Sequence, residues 1–306
     1  MLDYKKVFRS RRTRARILKA LRFIPDKPML KVQYRLKLGR RLNLEKPQRF
    51  TEKLQWYKLY YKNPLLIQCV DKGDVRDYVK SKGLESILIP CYGVFDSYDE
   101  INWNNLPEQF VMKDTLGGGG TSVVLVKDKS QLDFKKIKAR LQRWTSLDPY
   151  KKGSGREWPY YNGKRHRIII EKYLESGIND EGLTDYKFFC FNGKCEFLYV
   201  MGNRNVGQSV NVSIFDRDFN LLPVLRVGDE PFSEAKKPGN YDELLFVAET
   251  LSKDFPHVRV DLYDIDNTIY FGELTFYNAS GYMSFEPDSF DLEIGQLFEL
   301  RKYITE

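Results

Sequence analysis

The chain has 306 residues, 42% hydrophobic and 14% aromatic, with 20 Tyr and 20 Phe, which is enough apolar surface for one large or two modest cores and too much for a disordered polymer. The net charge of +8 is unevenly placed, because residues 1–50 hold 17 Lys and Arg against 3 Asp and Glu while the rest hold 33 against 39. A mildly acidic body behind a basic extension argues against nucleic acid as the main partner of the body.

In chain order, the basic stretch Arg9–Arg16 leads into Ile17, Leu18, Leu21 and Ile24 at helical spacing, and Pro25 and Pro28 are expected to end this helix. A cationic amphipathic helix over residues 1–24 fits either an anionic membrane surface or a solvated face packed on the body. Residues 51–62 predict an amphipathic helix with Thr51 as N-cap, and residues 71–83 a second one with Asp71 as N-cap and Gly83 as its stop. Strand-like runs follow at Ile87–Ile89 and Tyr92–Phe95, then a polar, turn-rich stretch to Pro107. From Phe110 the pattern is strand, glycine loop, strand (QFVMKD, TLGGGGT, SVVLVKD), then a helix over 130–144, a polar aromatic loop over 145–166 and a strand over 167–174. Strands are predicted at 185–191, 195–201, 209–215, 257–263 and 268–276, with helices near 240–253 and 288–303, an α+β pattern with mostly antiparallel strands.

Several chemistries are disfavoured by composition. Cys69, Cys91, Cys190 and Cys195 form no C-x-x-C pair, so neither a disulfide framework nor a structural zinc site is expected, which fits a reducing cytoplasm. No apolar run is long enough to span a bilayer, and the N-terminus lacks the pattern of a signal peptide. His166 and His257 are the only histidines and are read as structural, so chemistry falls to lysine, arginine and carboxylates.

Gly117, Gly118, Gly119 and Gly120 let backbone N–H groups approach an anion closely. A Walker loop or dinucleotide fingerprint opens a helix, whereas these glycines join two strands, so the loop is expected to be a flap over phosphates with Lys113 reaching in from the first strand. Downstream, Asp261 follows Arg259 on one apolar strand and Glu273 lies on the next, and two carboxylates joined by a hairpin are suitable oxygen donors for Mg²⁺.

With Lys72, Glu171-Lys172-Tyr173-Leu174 and Asp185-Tyr186-Lys187 added, the order of these motifs resembles the ATP-grasp superfamily. FTEKLQWYKLYYKNPLL, VDKGDVRDYVKSKG, YKFFCFNGK and FGELTFYNASG resemble its TupA-like branch, named for teichuronopeptide biosynthesis and associated with surface-polysaccharide genes. The resemblance runs from about Tyr34 to about Phe285. It implies an ATP-grasp fold in which two α+β subdomains clasp ATP: a basic helical extension over 1–50, an N-terminal α/β part over 51–110, a small subdomain with the glycine loop over 111–175 and a C-terminal subdomain with the Mg²⁺ site over 176–306. By position, Lys72 and Lys113 are expected at the α- and β-phosphates, residues 117–120 over them, Glu171, Lys172, Tyr173 and Leu174 at adenine, and Lys187 and Arg204 at the γ-phosphate. Asp261 and Glu273 would hold Mg²⁺, and Arg259 would stabilise the acyl phosphate or its adduct. Many members carry Glu-x-Asn where this chain has Glu273-x-Thr275, so either Thr275 or Asn278 is the third metal ligand or one of two metal sites is weaker, which leaves the number of Mg²⁺ ions open.

The implied reaction is ATP-dependent ligation of a carboxylate and an amine through an acyl phosphate, with a uronic acid and an amino acid or amine as the polysaccharide setting's reactants. Trp144, Arg156, Trp158 and Tyr160 in or beside loop 145–166 mark the expected acceptor site. Two alternatives stand: a glycosyltransferase using Asp264-Ile265-Asp266, against which an acidic hairpin tip is the simpler account, and a non-catalytic basic protein working through residues 1–50. A cytoplasmic protein, peripheral on the membrane, fits these readings, and nothing in the sequence defines an oligomeric state.

Overall fold

The computed structural model describes residues 17, 20–118, 122–175, 183–202 and 211–301. Gly119, Gly120, Arg204 and most of the 1–24 segment lie outside the described residues.

The first full α-helix among the described residues, α1, is Asp26–Leu38, and it begins at the prolines that were expected to end the helix before it. Pro25 sits at its N-cap and Pro28 within its first turn, where the N–H that proline lacks has no helical acceptor anyway. Gly39 ends it in the left-handed conformation, its N–H donating to the Arg35 carbonyl. Helices α2 (Phe50–Tyr60), α3 (Leu65–Cys69) and α4 (Val75–Ser81) follow. Thr51 is inside α2 rather than capping it: its N–H and hydroxyl both donate to the Asp291 carboxylate, while Glu52 accepts from the N–H groups of Gln48 and Arg49. The cap of α2 is therefore partly supplied from a residue 240 positions away. Asp71 is likewise not a helix cap but closes a turn, accepting from the N–H groups of Gly73 and Asp74. Gly83 does stop the segment, at φ +73°. Ile87–Ile89, expected to be strand, is a buried connection leaving a 3-10 turn at Glu85–Ile87, since the ladder begins only at Cys91.

Strand β1 (Cys91–Phe95) joins β2 (Phe110–Asp114), β3 (Val123–Val126) and β4 (Ile168–Lys172) in an antiparallel sheet of order β1-β4-β2-β3. Its two faces follow the period of two. Phe110, Met112, Ile168 and Ile170 face helix α5 (Phe134–Thr145), which lays Ile137, Leu141 and Trp144 against them. Asp133 caps α5 by accepting from the Lys136 N–H at 3.0 Å. The opposite face carries Val111, Lys113, Ile169 and Glu171.

The larger sheet comprises β5 (Asp185–Phe191), β6 (Lys194–Gly202), β7 (Asn211–Asp216), β9 (His257–Ile265) and β10 (Thr268–Thr275), ordered β10-β9-β5-β6-β7; β8 (Leu225–Arg226) and β11 (Phe285–Glu286) form a separate ribbon. Tyr186, Phe188, Cys190, Val258, Val260 and Leu262 lie on the face packed by helix α6 (Tyr241–Ser252). On the other face, α2 and α7 (Ser289–Leu297) cover one end, where Phe50, Phe298 and Phe191 enclose His257. Residues 50–88 thus share one core with 186–298, whereas Ile101 and Leu106 belong to the small sheet's core. No helix among the described residues is long and apolar enough to cross a membrane.

Candidate active site

Beyond the end of the large sheet that α2 covers, the same face turns from aromatic to charged. Register puts Lys187 opposite Asp261, Asp261 opposite Glu273, and Arg259 opposite Thr275, and cross-strand partners share a face. Plain alternation along β10 would place Phe271 with Glu273. A bulge at Gly272 inserts one residue between Phe271 and Glu273, so Phe271 is buried in the core while Glu273 and Thr275 turn to the charged side. Glycine suits the bulge because a Cβ there would meet the Asp261 carbonyl oxygen at 3.0 Å and the Tyr263 ring at 3.2 Å.

The result is a compact network. Lys187 Nζ donates to Asp185 Oδ2 and Asp261 Oδ2, each at 2.5 Å. Arg259 donates through Nε to Asp261 Oδ1 at 2.6 Å and through Nη2 to Asp261 Oδ2 at 2.7 Å, Thr275 Oγ1 at 3.0 Å and Glu273 Oε1 at 3.3 Å. Its Nη1 donates to Asn278 Oδ1. Burial by itself would raise the Asp261 pKa, but the charges of Arg259 and Lys187 outweigh it and hold the carboxyl below its ordinary range. Burial would also lower Arg259, and the Asp261 carboxylate more than compensates, so the guanidinium stays firmly charged. Asp261 is buried while the Glu273 side chain is 44% exposed, so the network is sealed below and open on one side.

Asp261, Glu273, Thr275 and Asn278 therefore converge on one cation, the guanidinium of Arg259. Carboxylate, amide and hydroxyl oxygens form the donor set a hard divalent cation takes, and two carboxylates suit an ion that fills its remaining positions with water and phosphate oxygens. No cluster of three or more acidic, His or Cys residues able to hold a metal occurs among the described residues. The donors present fit Mg²⁺ with few protein ligands.

The small sheet gathers the other predicted residues. Lys113 Nζ donates to Glu171 Oε2 at 2.7 Å, and Arg76 reaches the other oxygen of the same carboxylate at 3.4 Å. Lys72 is tied to the segment after β2 twice, its N–H donating to the Thr115 carbonyl at 2.9 Å and its Nζ to the Gly117 carbonyl at 2.5 Å. Gly118 follows in the described part of the loop. Strand β4 stops at Lys172, opposite Phe110, so the exposed Lys172 ends the ladder and the half-buried Tyr173 and Leu174 leave it.

Loop 145–166 does not present the acceptor-site residues expected of it. Arg156, 2% exposed and at φ +55°, donates to the carbonyls of Leu21, Arg22 and Ile24 and to Asp26 Oδ1, so it fastens the start of α1. Trp144 is in the small core, and Trp158 Nε1 donates to the Tyr61 carbonyl at 3.2 Å. Tyr160 is different: burial, with the carboxylates of Glu157 and Glu273 adding to it, pushes its phenol up.

Some participants had no distinct sequence signal. Asp185, quoted in the Asp185-Tyr186-Lys187 motif but given no role there, is a partner of the Lys187 ammonium. Lys58, fully buried, donates to Gln55 Oε1 at 3.1 Å and to the Ser280 carbonyl at 2.7 Å, and Gln55 Nε2 donates to the carbonyls of Ser280 and Gly281. These contacts hold the turn of left-handed Ala279 and Ser280 directly after Asn278. Only the fold joins α2 to that turn. His166 pairs with Asp114 at 2.8 Å, and His257 is enclosed by aromatic rings, as structural histidines would be.

A family model described as TupA-like ATPgrasp matches residues 52–299. A search of curated proteins gives no match. Among solved structures, the chain is similar to D-alanine–D-alanine ligase from Bacillus anthracis (18% identity, TM-score 0.42, covering 68% of this chain and 57% of that one). It is also similar to D-alanine–D-alanine ligase from Helicobacter pylori (14% identity, TM-score 0.42, 82% and 70%). A third similarity is to an ADP complex of N5-carboxyaminoimidazole ribonucleotide synthetase (14% identity, TM-score 0.43, 74% and 50%). The chain spans little more than half the length of the first of these structures. With its antiparallel sheets, glycine loop and carboxylate hairpin inside the matched span, the chain belongs to the TupA-like ATP-grasp family and has that family's α+β fold.

Proposed function

We propose that this chain is an ATP-dependent carboxylate–amine ligase that activates its acid as an acyl phosphate, and that the acid is a uronic acid and the amine an amino acid or simple amine of surface-polysaccharide synthesis. The observation that carries the reading is the convergence of Lys187, Arg259, Asp261, Glu273, Thr275 and Asn278 on one open-sided patch. It combines fixed cations for transferring phosphate oxygens with oxygen donors for a metal, and it needs no histidine. Residues 111–175 and 176–306 would act as the two jaws around the nucleotide. Lys72, Lys113 and the loop 117–120 would take the phosphates; Glu171, Lys172, Tyr173 and Leu174 would take adenine, the last two with backbone groups outside the ladder. Lys187 and Arg204 would meet the γ-phosphate. Asp261 and Glu273, with Thr275 or Asn278, would hold Mg²⁺, which supplies charge neutralisation on the phosphates when bound. Arg259, already charged and aimed by Asp261, would stabilise negative charge developing on the acyl group.

The test is ADP release across candidate acids and amines, followed by the mass of the product. Lys113→Ala is expected to raise the KM for ATP, and Glu273→Gln to lower kcat about 100-fold or more while nucleotide still binds. Full activity in both variants refutes the site, and sugar-nucleotide cleavage without ATP refutes the reaction. The sugar-nucleotide alternative gains nothing from Asp264-Ile265-Asp266, because Asp264 accepts from Asn240 and Asp266 stands in a left-handed hairpin tip. A cytoplasmic enzyme held at an anionic membrane through residues 1–24 fits the basic extension.

A further inference from the structure

Helix α1 has two opposed apolar sides. Leu30 and Tyr34 are buried against Leu42 and Leu44, with Met29 and Gln33 beside them, and this side fixes the helix to the body. On the outside, residues four apart form rows, as i and i+4 positions do on any α-helix. One exposed row is Pro28, Val32 and Leu36; the row next to it is Lys27, Lys31 and Arg35. Val32 is 54% exposed and Leu36 50%, and Phe23, just before the helix, is 82% exposed. Every exposed position of α1 is apolar or cationic. Asp26, its one carboxylate, is turned to the interior side and engaged by Lys152, Arg156 and Tyr161.

We propose that this face of α1 is a docking surface for an anionic lipid bilayer, with Phe23, Val32 and Leu36 entering the headgroup boundary and Lys27, Lys31 and Arg35 lying over the lipid phosphates. Two observations select this occupant. A helix lying in the interface needs an apolar row and a cationic row side by side along its length, and α1 has both while remaining attached to the body by its other side. Its charge is complementary to anionic lipid, and it continues the excess of 17 cations over 3 carboxylates in residues 1–50. The preceding stretch Arg9–Arg16 carries the same sign, so it is electrostatically unsuited to cover α1 and suited to add to the same contact. A nucleic-acid surface would use the cationic row but gain nothing from exposing Phe23, Val32 and Leu36 to it. The inference extends the membrane reading of residues 1–24 to a separate, folded element and stands apart from the ligase reading.

The experiment is flotation of the full chain with vesicles of phosphatidylcholine alone and of phosphatidylcholine mixed with phosphatidylglycerol, at low and high salt. The unaltered chain is expected to float with the anionic vesicles and to be released progressively by salt. Lys31→Glu with Arg35→Glu should reduce that partitioning about tenfold or more, and Val32→Ser with Leu36→Ser should reduce it about tenfold and remove the salt-resistant part. Both pairs are on the surface and outside the charged network, so thermal midpoint and ADP release should stay as they were. Flotation of both α1 variants equal to that of the unaltered chain overturns the proposal. If deletion of residues 1–16 then abolishes flotation, the tail alone is the anchor. Equal flotation with neutral vesicles overturns it too, as does binding of an RNA duplex that the Lys31/Arg35 variant loses while no vesicle floats.

Discussion

His257 shows how far burial can move one residue. Its Nδ1 is 2.9 Å from the Cys190 carbonyl oxygen and its ring sits among Phe50, Phe191 and Phe298; burial depresses its pKa from 6.5 to about 3. In the unfolded chain it takes up a proton near pH 6.5, in the folded chain only near 3, so the unfolded state binds more protons between those values. Stability from this residue is complete above pH 6.5 and is lost as pH falls towards 3, at roughly 1.4 kcal/mol per pH unit. Urea unfolding from pH 6 to 5 should approach that slope in the unaltered chain and be shallower in His257→Phe. Lys187 matters through its contacts, since its ammonium bridges two buried carboxylates. Lys187→Met should destabilise the ligand-free protein by about 3–5 kcal/mol, and the additional change Asp185→Asn should recover part of that loss in a thermal melt. Asp261 and Glu273 were legible as candidates because charge inside an apolar strand is visible without a fold, whereas Lys187 and the role expected of Arg259 entered only through the family resemblance. Arg156 was assigned to a ligand, because an arginine's partners are not written near it: here they are carbonyls 132 to 135 positions away.

At the scale of elements, both sheets and most helices follow from periodicity, with β5 found where it was expected. What periodicity misreads is any place where a partner strand or helix sets the boundary. Strand β4 ends early because β2 offers no partner past Phe110, and the run at Ile87–Ile89 is buried without a ladder. The bulge at Gly272 is the most consequential such place, since an extra residue changes which side chains share a face. Gly272→Val should push the Asp261 strand aside and lower ligase turnover more than it lowers the melting temperature. Gly295 in α7 has a purely structural version of the same role. A Cβ there would lie 2.0 Å from the Gln48 carbonyl oxygen and 2.9 Å from the Phe50 N. Gly295→Ala should therefore destabilise by about 1–3 kcal/mol as α7 is forced off the start of α2, measurable as a lower thermal midpoint.

Across the whole molecule, the residues proposed to hold the nucleotide are divided between two sheets with separate cores, and α2 to α4 pack into the core of the larger one. A ligand that touches both sheets should stabilise the pair together. Mg²⁺ with ATP at a hundred times its dissociation constant should add about 2.7 kcal/mol to unfolding. The shift should shrink for Lys113→Ala on one sheet and for Asp261→Asn on the other, and a nucleotide that shifts neither the parent nor the variants would count against a shared site. The sequence by itself determined the residue inventory, the α+β class, the glycine loop between strands and the separation of a basic extension from an acidic body, because composition and period are local properties. Only the tertiary structure decided that Asp291 caps α2, that Lys58 and Gln55 hold the turn after Asn278, that Arg156 fastens α1 and that a bulge turns Glu273 towards Asp261. Each of these depends on atoms distant in the chain meeting within hydrogen-bond or contact range, and neither composition nor periodicity encodes that distance.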